Sequence, residues 1–187
     1  APLLDVRDGL RVLDACAAPG GKTAHILEIA DVDMTALDDD PGRVSRLGAN
    51  LDRLGLRATV KIADATALES WWDGISFDRV LLDAPCSASG VVRRHPDVKW
   101  LRKPADIARF AGQQQRLLES LWKVVGYGGK LLYVTCSIFK EENQETIGGF
   151  AARHPDARVL RGLPGRDGLL LPDNEHDGFY YALLQKD

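Results

Sequence analysis

The sequence lacks the features that would place it in a membrane, in a secreted scaffold or around a metal ion. No apolar run in its 187 residues approaches the roughly 18 needed to cross a bilayer. Ala1-Pro2-Leu3-Leu4-Asp5 has none of the basic-then-apolar pattern of a signal peptide, so the expectation is a cytoplasmic protein with no membrane partner. There are only three cysteines, Cys16, Cys86 and Cys136. They are too few and too dispersed for a disulfide framework, and the odd count leaves one unpaired. Neither Cys-x-x-Cys nor His-x-x-x-His spacing occurs, and no metal site is expected. An excess of positive charge is also missing: 24 Lys and Arg face 27 Asp and Glu, for a net charge of −3. That balance disfavours a free-standing nucleic-acid binder, because phosphates call for clustered cations. Arg93-Arg94-His95 with Lys99, Arg102 and Lys103 is the one local exception.

What the chain does hold suits one globular domain. With 45% hydrophobic and 27% charged residues, it can bury a full core and keep a soluble surface. Short β-rich runs alternate with longer helical patterns, the mark of an α/β fold with a mostly parallel sheet. Seven strands are expected: Arg11 to Asp14, Asp33 to Leu37, Thr59 to Ile62, Phe77 to Leu82, Lys130 to Thr135, Ala157 to Leu160 and Phe179 to Leu184. Near-continuous apolar runs such as Val80-Leu81-Leu82 suit strands covered by helices on both faces. Helices are expected at Lys22 to Ile29, Pro104 to Val125 (stopped by Gly126 and Gly128-Gly129) and Glu142 to His154. Another lies between Asp40 and Gly55 and announces both ends, with Asp40 as N-cap, Pro41 at the first helical position and Gly55 just past the end. Val44, Leu47, Leu51 and Leu54 recur along it at helical spacing. Ser87 to Lys103 and Gly162 to Asp177, rich in Gly, Pro and charge, are the expected mobile stretches.

In open α/β sheets, ligands bind at the carboxyl ends of the strands. The first strand runs into Cys16-Ala17-Ala18-Pro19-Gly20-Gly21-Lys22. The small residues of this loop let backbone N–H groups approach a ligand, and the helix start that follows attracts an anion. Gly21-Lys22-Thr23 matches the end of a P-loop, but the leading glycine of that motif falls on Cys16, and a dinucleotide Gly-x-Gly-x-x-Gly is absent. The remaining common occupant is S-adenosylmethionine, held by a short Gly-rich loop and an acidic residue ending strand two. Asp38 stands where a carboxylate accepts both ribose hydroxyls, and Asp64 can reach the adenine edge. For Asp39 and Asp40 a helix cap or solvated charge is the preferred reading; for Asp64 both readings stay open.

Strand four ends in Asp83-Ala84-Pro85-Cys86-Ser87-Ala88-Ser89-Gly90 and strand five in Thr135-Cys136-Ser137. Adjacent strands would thus deliver two thiols and a carboxylate to one cleft. An amine acceptor of a methyl group needs only orientation and desolvation. Carbon 5 of a pyrimidine becomes nucleophilic when a thiolate adds to carbon 6 and an acid offsets the charge developing on the ring. A base must later remove the proton from carbon 5. Cys136, Asp83 and Cys86 can supply this set, with either cysteine attacking. Alone, a free cysteine is a small buried hydrophobe, and that is the reading for Cys16. As a pair at neighbouring strand ends, Cys86 and Cys136 point to chemistry; a disulfide between them is not expected in a reducing compartment.

These residues resemble the RNA cytosine-C5 methyltransferases, most closely the bacterial RsmB (Sun/Fmu) branch that modifies 16S ribosomal RNA. The matching motifs are Leu13 to Thr23, Leu82 to Gly90, Arg93-Arg94-His95-Pro96-Asp97 and Thr135-Cys136-Ser137, and the likeness runs from about Gly9 to the C-terminus. The resemblance implies a Rossmann-like class I S-adenosylmethionine-dependent methyltransferase fold acting on cytosine C5 in RNA. It implies the cofactor on Cys16, Ala17, Ala18, Pro19, Gly20, Gly21, Lys22, Asp38, Asp64 and Asp83. It implies Cys136 as nucleophile, Cys86 as the group assisting resolution of the covalent adduct, and Lys22 within the active-site region.

Members of this branch carry an N-terminal region of RNA-binding helices. That region is absent from this sequence, so residues 1–187 are expected to be the catalytic domain alone. Arg93, Arg94 and His95 follow the Asp-Ala-Pro-Cys motif and stand where RNA phosphates beside a flipped base would be held, although a charged loop is as readily just solvated. Trp100 is a candidate for stacking on RNA, whereas Trp71, Trp72, Trp122, His25, His154 and His176 read as structural. Two other functions remain open. One is an amino-group methyltransferase on the same fold, which needs no thiol and whose usual Asp/Asn-Pro-Pro-Tyr motif is missing. The other is a catalytically silent RNA-binding or assembly module.

Overall fold

The structure, a computed structural model, describes all 187 residues. Its sheet holds β1 (Arg11–Asp14), β2 (Asp33–Asp38), β3 (Thr59–Ile62), β4 (Phe77–Asp83), β5 (Val125–Thr135), β6 (Ala157–Leu160), β7 (Leu169–Leu170) and β8 (Phe179–Lys186). The order is β3-β2-β1-β4-β5-β8-β6, with β7 paired to β8. The strands from β1 to β5 pair in parallel, while β8 runs antiparallel to β5 and β6. The helices are α1 (Gly21–Ile29), α2 (Pro41–Leu54), α3 (Val98–Leu101), α4 (Pro104–Val124) and α5 (Gln144–Arg153).

Alternation along the strands sorts side chains between two covered faces. Leu13, Val80, Leu82, Leu131 and Tyr133 join Trp71, Leu118, Leu121 and Phe150 in the larger cluster. Val12, Leu81, Leu132 and Val134 join Leu4, Ile26 and Met34 in a smaller one. A strand that feeds both clusters must be apolar at nearly every position, which is why β4 reads as a continuous run. In α2, Asp40 Oδ1 accepts the Arg43 N–H at 2.8 Å and Gly55 takes the left-handed conformation at φ 67°. Val44, Leu47 and Leu51 are buried as expected, but Leu54 in the last turn is 41% exposed.

Three local features depart from expectation. The sheet has eight strands rather than seven, because Leu169 and Leu170 pair with Tyr180 and Phe179 inside the segment read as mobile. A two-residue strand leaves no periodic signal. The helix before β5 passes into it without a loop, and the pairing jumps from Phe77↔Val125 to Arg79↔Lys130. The glycines read as a helix stop therefore form a bulge in the strand. A Cβ on Gly129 would lie 2.8 Å from the Gly126 carbonyl oxygen. Finally, α5 begins only at Gln144, after a 3₁₀ turn at Lys140–Glu142, because the Glu142 side chain is drawn inward and Asn143 is non-helical at φ −120°, ψ −101°. No helix is long and apolar enough to cross a membrane.

The strand order reverses between β1 and β4, since β2 and β3 lie on one side and β5 on the other. Parallel pairing puts the carboxyl ends of β1 to β5 on one edge, and a crevice opens at such a reversal.

Candidate active site

A cleft of about 360 Å³ opens at that edge. The loops and strand ends deliver Cys16 and Ala18 after β1, Asp38 and Asp39 at β2, Asp64 after β3, Asp83 and Cys86 at β4, and Cys136 after β5. Ala17, Pro19, Gly20 and Gly21 complete the first loop without lining the cleft. Gly20 adopts φ 100°, and a Cβ there would stand 3.2 Å from Leu47 Cγ on α2, so only glycine lets the loop turn against that helix. Asp38, 4% exposed, ties the loop to β2: it accepts the Ala18 N–H at 3.2 Å and the Asp40 N–H at 3.2 Å, and it pairs with Arg43 at 3.2 Å. Asp64 Oδ1 accepts the Thr66 N–H and O–H, both at 2.8 Å, while Oδ2 has no hydrogen bond within the chain. Asp40 caps α2, in line with its plainer reading.

Asp14, at the end of β1, is a site residue that the sequence reading does not single out. It is wholly buried, accepts the Thr23 hydroxyl on Oδ2 at 2.7 Å and leaves Oδ1 without a partner. Burial pushes its pKa up to about 7 despite the Thr23 bond. This excess of acceptors discriminates between ligands. A phosphate would meet Asp38, Asp39, Asp64 and Asp83 as like charges. A nucleoside carrying ribose hydroxyls, an adenine amino group and an amino-acid ammonium presents donors instead. S-adenosylmethionine has these groups, and a cleft of this volume is within the ordinary ligand-site range of about 300–1,000 Å³.

At the other end of the cleft the sulfurs of Cys86 and Cys136 lie 3.4 Å apart. Lys22 Nζ donates to Asp83 Oδ2 at 2.5 Å; burial opposes its charge, but Asp83 outweighs burial and holds the Lys22 pKa up. The two thiols are made unequal. The hydrogen bond with Cys86 draws the Cys136 pKa below the usual thiol range against burial and Asp83, with help from Lys22. The same hydrogen bond and burial push Cys86 up, and the nearby charges of Cys136 and Glu142 add to this. The contact thus pushes the two thiols in opposite directions, Cys136 down and Cys86 up. Burial raises Cys16 as well, with Asp14 adding to the effect.

Glu142, fully buried, joins the two cysteine loops. It accepts the Ser87 N–H at 2.9 Å and Gln114 Nε2 at 3.1 Å on one oxygen, and the Ser137 hydroxyl at 2.5 Å on the other. Ser87 and Ser137 each follow a cysteine. Gly90 N–H also donates to the Cys136 carbonyl at 2.8 Å.

Comparison with known proteins decides the family. The model of the 16S rRNA methyltransferase RsmB/F family matches residues 1–185. The chain belongs to the RsmB/F family. It is 48% identical over 189 aligned residues to the Ribosomal RNA small subunit methyltransferase B of Yersinia pestis bv. Antiqua (strain Angola), covering 98% of this chain and 44% of that protein. Its counterpart in Yersinia pseudotuberculosis serotype O:3 (strain YPIII) matches to the same extent. The chain thus spans less than half the length of these relatives. Among solved structures it is similar to NSun6 from Pyrococcus horikoshii with SFG, an S-adenosylmethionine analogue (TM-score 0.89, 28% identity, 99% of this chain and 50% of that one). A methyltransferase homolog protein from Pyrococcus horikoshii is also similar (TM-score 0.83, 32% identity, 99% and 64%). The fold is thus the Rossmann-like class I methyltransferase fold that the motifs imply.

In this RsmB/F chain the expected RNA contacts lie apart from the cleft. Arg93 and Arg94 both pair with Asp177, each at 2.5 Å, and Arg93 also donates to the Asp173 carbonyl at 3.1 Å. His95 shares a shallow depression with them. Trp71 and Trp122 are buried, and His154 bonds Glu119 at 2.7 Å while stacking on Phe150. Asp14, Glu142 and Asp177 are among the polar residues that sequence reasoning missed, as are Arg43, Gln113 and Arg116 of the cleft wall. Asp14 alone carried a signal, because it ends a strand as Asp38 does.

Proposed function

We propose that the RsmB/F chain methylates carbon 5 of a cytosine in RNA, with S-adenosylmethionine as donor and Cys136 as nucleophile. Family membership favours 16S ribosomal RNA as the substrate. The observation that carries the reading is the 3.4 Å Cys86–Cys136 contact in the same cleft as Asp38, Asp64 and Asp83. When bound, S-adenosylmethionine supplies an electrophilic methyl group on a sulfonium. Asp38 and Asp64 would accept hydrogen bonds from its nucleoside, and the buried Asp14 carboxylate would favour a cation nearby.

The Cys136 thiolate adds to carbon 6, and the Lys22–Asp83 pair offsets the charge that develops on the ring. The electron pair now at carbon 5 takes the methyl group. Cys136 has become a neutral thioether, so the charge that held the proton on Cys86 is gone. Cys86 releases that proton to water and accepts the one on carbon 5. The electrons of that C–H bond rebuild the ring double bond and expel the Cys136 thiolate. An amino acceptor would need neither sulfur, which is why the paired thiols favour carbon.

In the intact protein, Cys136→Ala should abolish methyl transfer while leaving cofactor binding unchanged. Cys86→Ala should accumulate a covalent RNA adduct. Normal turnover by Cys136→Ala, or N-methylated bases in place of 5-methylcytosine, would overturn the reading.

A further inference from the structure

We propose that α3 is a platform for single-stranded RNA beside the target base, with Trp100 stacking on a neighbouring nucleotide and Lys99 and Lys103 meeting its phosphates. The inference rests on the reading of the cleft as an RNA methyltransferase site.

Several cations of the segment are already engaged. Arg93 and Arg94, the expected phosphate contacts, share the buried carboxylate of Asp177 and act as anchors for their loop. Arg109 is paired with Asp106. Lys99, Arg102 and Lys103 form no ion pair, and with Arg102 held by neutral contacts the two lysines are the free cations near Trp100. Trp100 is 81% exposed, whereas Trp71 and Trp122 are 4% and 3% exposed. Leu101 beside it is 64% exposed, and Val98 on the same short helix is buried. Lys99 Nζ stands 5.1 Å from the Trp100 ring centroid, so cation and aromatic face form one surface.

A water-exposed indole between free lysines suits an unpaired base next to phosphate. Stacking accepts any base, and the charge follows the backbone. The net charge of the chain is negative, so this local concentration of positive charge is not a general property of its surface.

The platform is also coupled to the chemistry. Arg102, at the end of α3, donates from Nε to the carbonyl of Ser87 at 2.9 Å, and its guanidinium lies over Phe110 at 5.2 Å. Ser87 follows Cys86. A nucleotide held on α3 is thereby positioned relative to the loop that carries the second thiol.

The test uses the intact protein and a labelled single-stranded RNA of about a dozen nucleotides containing one cytosine. Trp100→Ala should weaken RNA binding by about 10- to 100-fold, leave S-adenosylmethionine affinity and thermal midpoint unchanged, and be largely rescued by Trp100→Phe. Replacing Lys99 and Lys103 together with alanine should reduce the slope of log K against log salt by about 1.4, or about 0.7 for each phosphate no longer neutralised. Wild-type RNA affinity and salt slope in these variants would overturn the platform while leaving the Cys136 chemistry standing. A wild-type protein that neither binds RNA nor transfers a methyl group to it would remove both readings.

Discussion

Glu142→Ala is the substitution whose cost the structure specifies best. The carboxylate is fully buried and accepts three hydrogen bonds, from Ser87 N–H at 2.9 Å, Gln114 Nε2 at 3.1 Å and the Ser137 hydroxyl at 2.5 Å. Those three partners are themselves fully buried. The Ser87 N–H loses its only acceptor, which costs about 1–3 kcal/mol. Gln114 Nε2 keeps the Pro85 carbonyl at 2.9 Å and the Ser137 hydroxyl keeps Ser89 Oγ at 3.2 Å, so each of these loses a charge-assisted bond worth about 1.5–3 kcal/mol and the gross loss is about 4–9 kcal/mol. Two effects offset part of it: the desolvation penalty of a buried carboxylate disappears, and a water can enter the polar cavity. A net destabilisation of about 3–5 kcal/mol is expected, a large part of a typical total of about 5–15. With a urea m-value of about 2 kcal/mol/M, the unfolding midpoint should fall by about 2 M. Glu142→Gln keeps one acceptor oxygen, so it should remain folded at a smaller cost. Because the clamp sets how the two thiol loops meet, Glu142→Gln should still slow methyl transfer at least about ten-fold at unchanged cofactor affinity, as small misplacements of reacting groups do. An alanine variant with a wild-type midpoint, or a glutamine variant with wild-type turnover, would refute the argument.

Other expectations follow from the charges in the cleft. The Asp14 pKa is raised in the folded state to about 7 from the ordinary value of 3.8. The folded form therefore holds a proton that the unfolded form has lost, and stability falls as pH rises from about 4 to about 7. Asp14→Asn should flatten that dependence and stabilise the cofactor-free chain at pH 8, as measured by urea unfolding across pH; an unchanged slope would count against it. Lys22 favours the Cys136 thiolate, so Lys22→Met should move the pH profile of Cys136 alkylation, followed on its peptide by mass spectrometry, to higher pH. A shift to lower pH would contradict the proposed charge arrangement.

Much of the molecule was readable along the chain because its signals are local. The caps of α2 lie within the helix they cap, and the apolar run of β4 reports its own two-sided burial. The Gly-rich loop, Asp38, Asp64, Asp83 and the paired cysteines of the cleft, Cys86 and Cys136, lie at or just after strand ends. Once the strands are taken as parallel, connectivity alone sends them to one edge. Where such signals were short or ambiguous, expectation and structure parted. Two residues of β7 carry no period, and the glycines expected to stop a helix at Gly126 to Gly129 form a strand bulge, because the pairing with β4 decides what glycine does there. Glu142 looked like the first residue of a helix until its side chain proved to be the anchor of two loops.

Sequence by itself settled the fold class and the chemical inventory, since both depend on residue type and on neighbours a few positions away. Tertiary structure decided how identical groups were made different. Cys86 and Cys136 carry the same thiol, and only their contact, with Lys22 acting on one side and Glu142 on the other, pushes one pKa up and the other down. Arg94 and Lys99 are both surface cations, and only the position of Asp177, far along the chain, engages one and leaves the other free. Charge and burial act through space, and the distances that govern them are created when remote segments pack together.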